Sequence, residues 1–174
     1  MCGIAGRYNY HSIDNHDGWA DRVKETLAHR GPDSSGVFSS SKCQFIHTRL
    51  SIIDLSNNAS QPMSNDDKTI YVVFNGEIYN YQDLKKDLIK MGYSFFSDSD
   101  TEVLIYLYDL YGSEMLKKVK GIFSFAIYNT INKEIFIARD KFGVKPLYYS
   151  IVGNNLFFSS EIKGLLCSDQ IEVH

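Results

Sequence analysis

The chain has 174 residues, 44% of them hydrophobic and 22% charged, and a net charge of −3. That length and apolar content predict one folded domain with a sizeable core and argue against disorder. Charges of both signs are scattered without a basic stripe, and no apolar run reaches the ~18–20 residues of a membrane span, so neither a nucleic-acid partner nor a membrane segment is expected.

Cys2 to Tyr10 reads as a first strand, and Arg7 interrupts it too early for a secretory signal. Trp19, Val23 and Leu27 recur at i, i+4, i+8 and predict a helix face. His29 to Gly36 is rich in Gly, Pro, Asp and Ser and reads as a loop. Val37-Phe38 and Cys43 to Arg49 read as strands, Leu50 to Leu55 as a short apolar run, and Asn57 to Asp67 as polar loop. Ile70 to Phe74 is apolar on both faces, as expected of a strand buried between two layers.

Asn80 is a candidate N-cap for a helix with Leu84, Leu88 and Met91 on one face and Gly92 at its end. Asp100 or Thr101 is a candidate cap for the next helix, whose apolar positions are Val103, Leu104, Leu107, Tyr108 and Tyr111. Two hairpins follow. Ile122 to Tyr128 meets Ile135 to Ala138, and Leu147 to Val152 meets Asn155 to Ser159 through Gly153-Asn154. This order of strands, two helices and two hairpins predicts an α+β fold with antiparallel sheets, stacked and covered by helices.

Cysteines stand at 2, 43 and 167. The odd count and the absence of CxxC or Cys/His spacings argue against a disulfide framework and a metal site, and a reducing cytoplasm fits best. Cys2 is the informative one. If Met1 is removed, it carries a thiol and an α-amine on one residue, and an α-amine with a reference pKa of about 7.7–8.0 serves as a built-in base. A thiolate attacking an amide generates an oxyanion that needs fixed donors, which the Asn75 side chain and the Gly76 N–H offer. Arg49 suits a carboxylate, and Glu77 and Asp100 suit an ammonium. Singly, each residue has a plainer reading: a strand opener at Cys2, a snorkelling Arg49, an Asn-Gly turn, a capping Asp100. Together they fit a free amino acid with a side-chain amide, glutamine or asparagine.

The chain also resembles the glutaminase domain of class II (N-terminal nucleophile) glutamine amidotransferases, most closely the asparagine synthetase branch. The resemblance rests on MCGIAG at 1–6, HRGPDSSG at 29–36, TRLSIIDLS at 48–56, QPM at 61–63, FNGEIYNY at 74–81, SDTEVL at 99–104, GIFSFAIYN at 121–129, ARDKFGVKPLYY at 138–149 and FSSEIKGLL at 158–166. It implies a four-layer αββα sandwich of two mainly antiparallel sheets, formed by one domain over residues 1–174. It implies Cys2 as nucleophile, Asn75 and Gly76 as oxyanion hole, Arg49 on the glutamine α-carboxylate, and Glu77 and Asp100 on the α-amine. Backbone contacts are implied in the stretch 50–53, at Leu50 and Ile52.

The implied reaction converts glutamine to glutamate and ammonia through a Cys2 thioester, with no cofactor. Ammonia passes to a synthetase domain or partner chain that amidates aspartate, and ATP and Mg belong there. No Gly-rich phosphate loop or SGG-x-DS signature of that domain occurs here, so the chain alone is not expected to make asparagine. A homo-oligomer is compatible with the sequence. The alternative is a glutamine-binding or ammonia-supplying module with little turnover by itself, attached to an enzyme acting on a sugar, polysaccharide or peptide. No role is assigned to His29, Arg30 or Asp33.

Overall fold

The computed structural model describes residues 1–15, 17–51 and 56–172. Strand β1 (Gly3–Asn9) lies at the centre of a five-stranded sheet. It pairs antiparallel with β3 (Cys43–Arg49) and β9 (Asn155–Ser159), while β2 (Ser34–Ser39) and β8 (Tyr148–Val152) form the edges. A second, four-stranded antiparallel sheet runs β4 (Met63–Ser64), β5 (Ile70–Ile78), β6 (Gly121–Asn129), β7 (Glu134–Arg139).

Side-chain alternation builds three apolar layers around these sheets. On β1, Ile4 faces the other sheet, where it meets Phe45, Val73, Ala126, Tyr128 and Phe158. Its neighbour Ala5 faces the opposite way, onto α1 (Trp19–Leu27) and α4 (Ile162–Leu165), with Trp19, Val23, Leu27, Ile46 and Phe157. On β5, Val72 and Phe74 face α2 (Tyr81–Lys90) and α3 (Asp100–Tyr111), packing with Leu88, Val103, Leu104 and Leu107. Val73 between them faces inward. The strand is therefore sandwiched as its doubly apolar pattern predicts, and the architecture is the expected α+β, αββα sandwich. Each large side chain buried in these layers contributes about 1.5–3 kcal/mol, so the layering outweighs any single polar contact at the site. Among the described residues no helix is long and apolar enough to cross a membrane.

Several local expectations are corrected. The sequence Asn75-Gly76-Glu77 is not a turn, because β5 continues through it in register with Ser124, Phe123 and Ile122 of β6. Strand β2 begins at Ser34, inside the expected loop, and β4 occupies part of the expected 57–67 loop. Helix α4 follows no periodicity long enough to predict. Helix α3 is capped by Ser99, whose side chain accepts from Thr101 N, and Asp100 is its first residue instead. Asn80 stands at the start of α2 without capping it. Its side chain donates to Lys118 O and accepts from Lys120 N, tying α2 to the approach to β6. Met91, expected on the apolar face of α2, is exposed.

Candidate active site

One cavity of ≈ 170 Å³ opens between the two sheets where β1 begins and β3 ends. Cys2, Arg49, Leu50, Asn75, Gly76, Glu77 and Asp100 all line it, so the structure gathers these residues from four separate segments. Ile52, the remaining candidate, lies outside the described residues. The volume is below the ~300–1,000 Å³ of sites for drug-sized ligands and suits a small metabolite.

Pairing of β1 with β3 sets Cys2 beside the end of β3, since Gly3 is opposite Thr48. Its Sγ accepts from Leu50 N at 3.4 Å and lies 3.6 Å from Leu50 O. Arg30 holds the other side of the residue, donating from Nε to Cys2 O at 3.0 Å. Glu161 braces Arg30 at 3.0 Å and also meets His29 at 2.9 Å and Lys163 at 3.2 Å. Burial would raise the Glu161 carboxyl, but hydrogen bonds from Arg30, His29 and Lys163 overcome it and hold the group at about 2. Asp33 fixes the chain after β3, accepting from Ser51 N at 2.7 Å. The 29–33 loop thus acquires its roles: it clamps the backbone of Cys2 and of the β3 exit. Gly31 is required there, because a Cβ would sit 2.3 Å from the Thr48 carbonyl.

Asn75, which lines the same cavity from the other sheet, is buried and its Nδ2 has no hydrogen-bond partner. A buried donor left unpaired costs about 1–3 kcal/mol, and this one borders a cavity, so its capacity is available to whatever enters. Gly76 follows on β5, where any Cβ would come within 2.3 Å of Ile122 O, so the neighbouring strand alone demands glycine.

The segment Ser99-Asp100-Thr101-Glu102 divides four tasks. Ser99 caps α3. Asp100 borders the cavity and accepts from Ile78 N at 2.9 Å. Thr101 accepts from Gln61 Nε2 at 3.2 Å, and Gln61 in turn accepts from Phe74 N at 2.7 Å. Glu102 is fully buried and accepts from the backbone N–H groups of Phe96 and Ser97, which fixes the loop before the helix. Burial pushes the Asp100 carboxyl up to about 6; the Ile78 N–H opposes the rise and the Glu77 charge adds to it. Arg49, also buried, donates from Nη1 to Ser56 O at 3.0 Å.

His47, Gln61, Thr101, Lys145 and Met1 also line the cavity and were not assigned to the site from sequence. His47 had a signal: it lies two residues before Arg49 on a strand, hence on the same face. Gln61 and Thr101 stood in the QPM and SDTEVL segments without a site role, because their roles depend on contacts across the fold. Met1 borders the mouth with Lys145 Nζ 3.5 Å from its sulfur, so in this form the Cys2 nitrogen is a peptide nitrogen. Chemically the cavity offers a thiol, an unpaired amide donor, one guanidinium and two carboxylates, a set matched to a zwitterionic amino acid with a carbonyl to attack. Among the described residues no group of His, Cys, Asp and Glu could hold a metal ion.

The family model described as "Glutamine amidotransferase domain" matches residues 1–174. Asparagine synthetase [glutamine-hydrolyzing] 1 of Bacillus subtilis is 42% identical over 99% of this chain and 28% of its own length. Asparagine synthetase [glutamine-hydrolyzing] 3 of Arabidopsis thaliana is 38% identical over 99% of this chain and 29% of its own. The chain thus spans less than a third of these relatives. Among solved structures, glutamine phosphoribosylpyrophosphate amidotransferase from B. subtilis superposes with a TM-score of 0.79 at 22% identity, covering 95% of this chain and 43% of that one, a likeness of fold.

Proposed function

The chain belongs to the glutamine amidotransferase domain family, and from that premise we propose that it hydrolyses glutamine to glutamate and ammonia through a thioester on Cys2. The observation that carries this reading is the unpaired, buried Asn75 Nδ2 in the cavity that holds the Cys2 thiol. Removal of Met1 frees the Cys2 α-amine, which takes the thiol proton directly or through water. Sulfur attacks the side-chain amide carbon. Asn75 Nδ2 and the Gly76 N–H receive the negative charge on oxygen. Arg49 holds the α-carboxylate, and Asp100 with Glu77 holds the α-ammonium; Leu50, and Ile52 by the family resemblance, add backbone contacts. The C–N bond breaks, the leaving nitrogen takes a proton and departs as ammonia, and water then cleaves the thioester to glutamate. These steps need no cofactor.

Ammonia is passed to an acceptor domain that amidates aspartate, a reading supported by the names of the relatives, and ATP and Mg act only there. The β7–β8 loop supports docking of such a domain: Lys145 lines the cavity mouth, and its neighbours Phe142 and Val144 are exposed, Phe142 at 91%. Residues 1–174 act as one domain in the cytoplasm. A binding module of low turnover is the second reading, favoured for the Met1-bearing form, in which the base is absent.

The test is release of glutamate and ammonia from glutamine by Met1-processed protein. Equal amounts of both, lost with Cys2→Ala, support the reading; glutamate release that persists in Cys2→Ala removes Cys2 from the chemistry.

A further inference from the structure

His47 is 1% exposed and lines the cavity; its ring approaches the Phe74 backbone, but neither ring nitrogen has a partner within good hydrogen-bond geometry. Asn75 is the other cavity residue with an unpaired buried polar atom. Strand alternation gives the two corresponding places on their own strands. On β3, Arg49, His47 and Phe45 share a face, and Phe45 belongs to the apolar layer between the sheets. On β5, Glu77, Asn75 and Val73 share a face that ends in the same layer. Moving inward, both walls pass from a charged residue to a neutral polar one and then to an apolar one.

His47 is neutral. Burial, and after it the Arg49 charge, lower its imidazole to about 3 against a weaker opposing pull from the Phe74 backbone. A neutral imidazole offers one donor and one acceptor. A carboxamide offers both in return, whereas a carboxylate only accepts. A buried polar ring without partners costs stability unless something fills its capacity.

Resting on the glutaminase reading above, we propose that His47 is a further specificity-determining residue of the glutamine site, hydrogen-bonding the uncharged amide end of the substrate while Arg49, Glu77 and Asp100 hold its charged end. The pairing favours glutamine over glutamate and so also favours release of the product. His47 transfers no proton in this role.

The test uses full-length protein in a Cys2→Ala background, with glutamine and glutamate binding measured by calorimetry. Adding His47→Leu is expected to weaken glutamine binding at least about tenfold, the loss of a hydrogen bond near 1.4 kcal/mol. Glutamate binding changes less, so the preference shrinks. The melting temperature rises by about 2–4 °C, because a buried polar ring without partners has been removed. His47→Asn, which restores an uncharged donor and acceptor, recovers part of the preference. Where leucine fails to fold, His47→Phe carries the same comparison. Unchanged glutamine binding, or equal loss of both ligands with a lower melting temperature, overturns the proposal. If Cys2→Ala alone binds no glutamine, the glutaminase reading fails together with it; if that parent binds and the His47 variants match it, only the His47 proposal fails.

Discussion

Leu50 presents both of its backbone polar atoms to the sulfur of Cys2, the N–H at 3.4 Å and the carbonyl at 3.6 Å. The carbonyl accepts from the thiol, and the N–H donates to sulfur and would strengthen its hold on a thiolate. The strand end that carries Arg49 therefore also positions the sulfur. Shortening Cys2 to alanine removes the attacking atom but no core contact, so Cys2→Ala should abolish glutamate release while unfolding free energy stays within about 1 kcal/mol of the parent. Parallel activity and denaturation measurements check this.

Asn75→Ala should lower kcat about 10²–10³-fold, the usual cost of one oxyanion donor. Stability should not fall through lost hydrogen bonds at Nδ2, since that atom has no partner in the unliganded protein. Stopped assays together with a melting curve separate the two effects; a full-rate Asn75→Ala enzyme would exclude the side chain from the oxyanion hole.

Asp100 predicts a pH dependence. Its folded-state value of about 6 stands above the ~3.9 of an unfolded chain, so its proton favours folding below the unfolded value and that contribution is lost as pH rises through 6. Binding runs the other way, because the substrate ammonium needs the carboxylate. Below 6, protonation of Asp100 should add about a further tenfold fall in kcat/KM for glutamine per pH unit to the fall that protonation of the Cys2 α-amine already imposes. Asp100→Asn keeps an acceptor for Ile78 N but removes the charge. It should remove this added fall and raise KM about 10–100-fold, the value of a charge-assisted hydrogen bond. A pH profile of Asp100→Asn that still steepens near pH 6 as the parent does would assign that step elsewhere.

Glu161 acts at one remove, through Arg30 on the Cys2 carbonyl. Releasing Arg30 loosens the nucleophile, and misplacement by about 1 Å can cost ~10²-fold in rate. Glu161→Ala should therefore lower kcat with little change in KM. The carboxylate, lowered to about 2, contributes stability above its unfolded value near 4.3, and that contribution is lost as pH falls toward 2. Acid titrations of parent and variant should diverge above pH 4 and converge toward pH 2.

The layers of the fold were legible in sequence because period-two and period-four patterns report burial directly, as at Val72-Val73-Phe74 and at Trp19, Val23 and Leu27. Cys2, Arg49, Asn75, Gly76, Glu77 and Asp100 were legible because their chemistry is complementary, whatever their contacts. Local signals misled where long-range contacts override them. Asn75-Gly76 carries a turn signature, yet β6 holds it in a strand and the close approach of Ile122 O demands the glycine. Asp100 has a capping side chain, but Ser99 takes that task and leaves the carboxylate for the cavity and Ile78. The roles of Arg30 and Gln61 were not legible because their partners, Glu161 and Phe74, lie elsewhere in the chain.

The central claim is a covalent intermediate on a processed Cys2, and the intact mass of protein quenched in acid during turnover with glutamine tests it most directly. The account predicts a chain lacking Met1 that carries one γ-glutamyl group, with no such adduct in Cys2→Ala. An active preparation whose chains retain Met1, or an adduct that persists in Cys2→Ala, would contradict it.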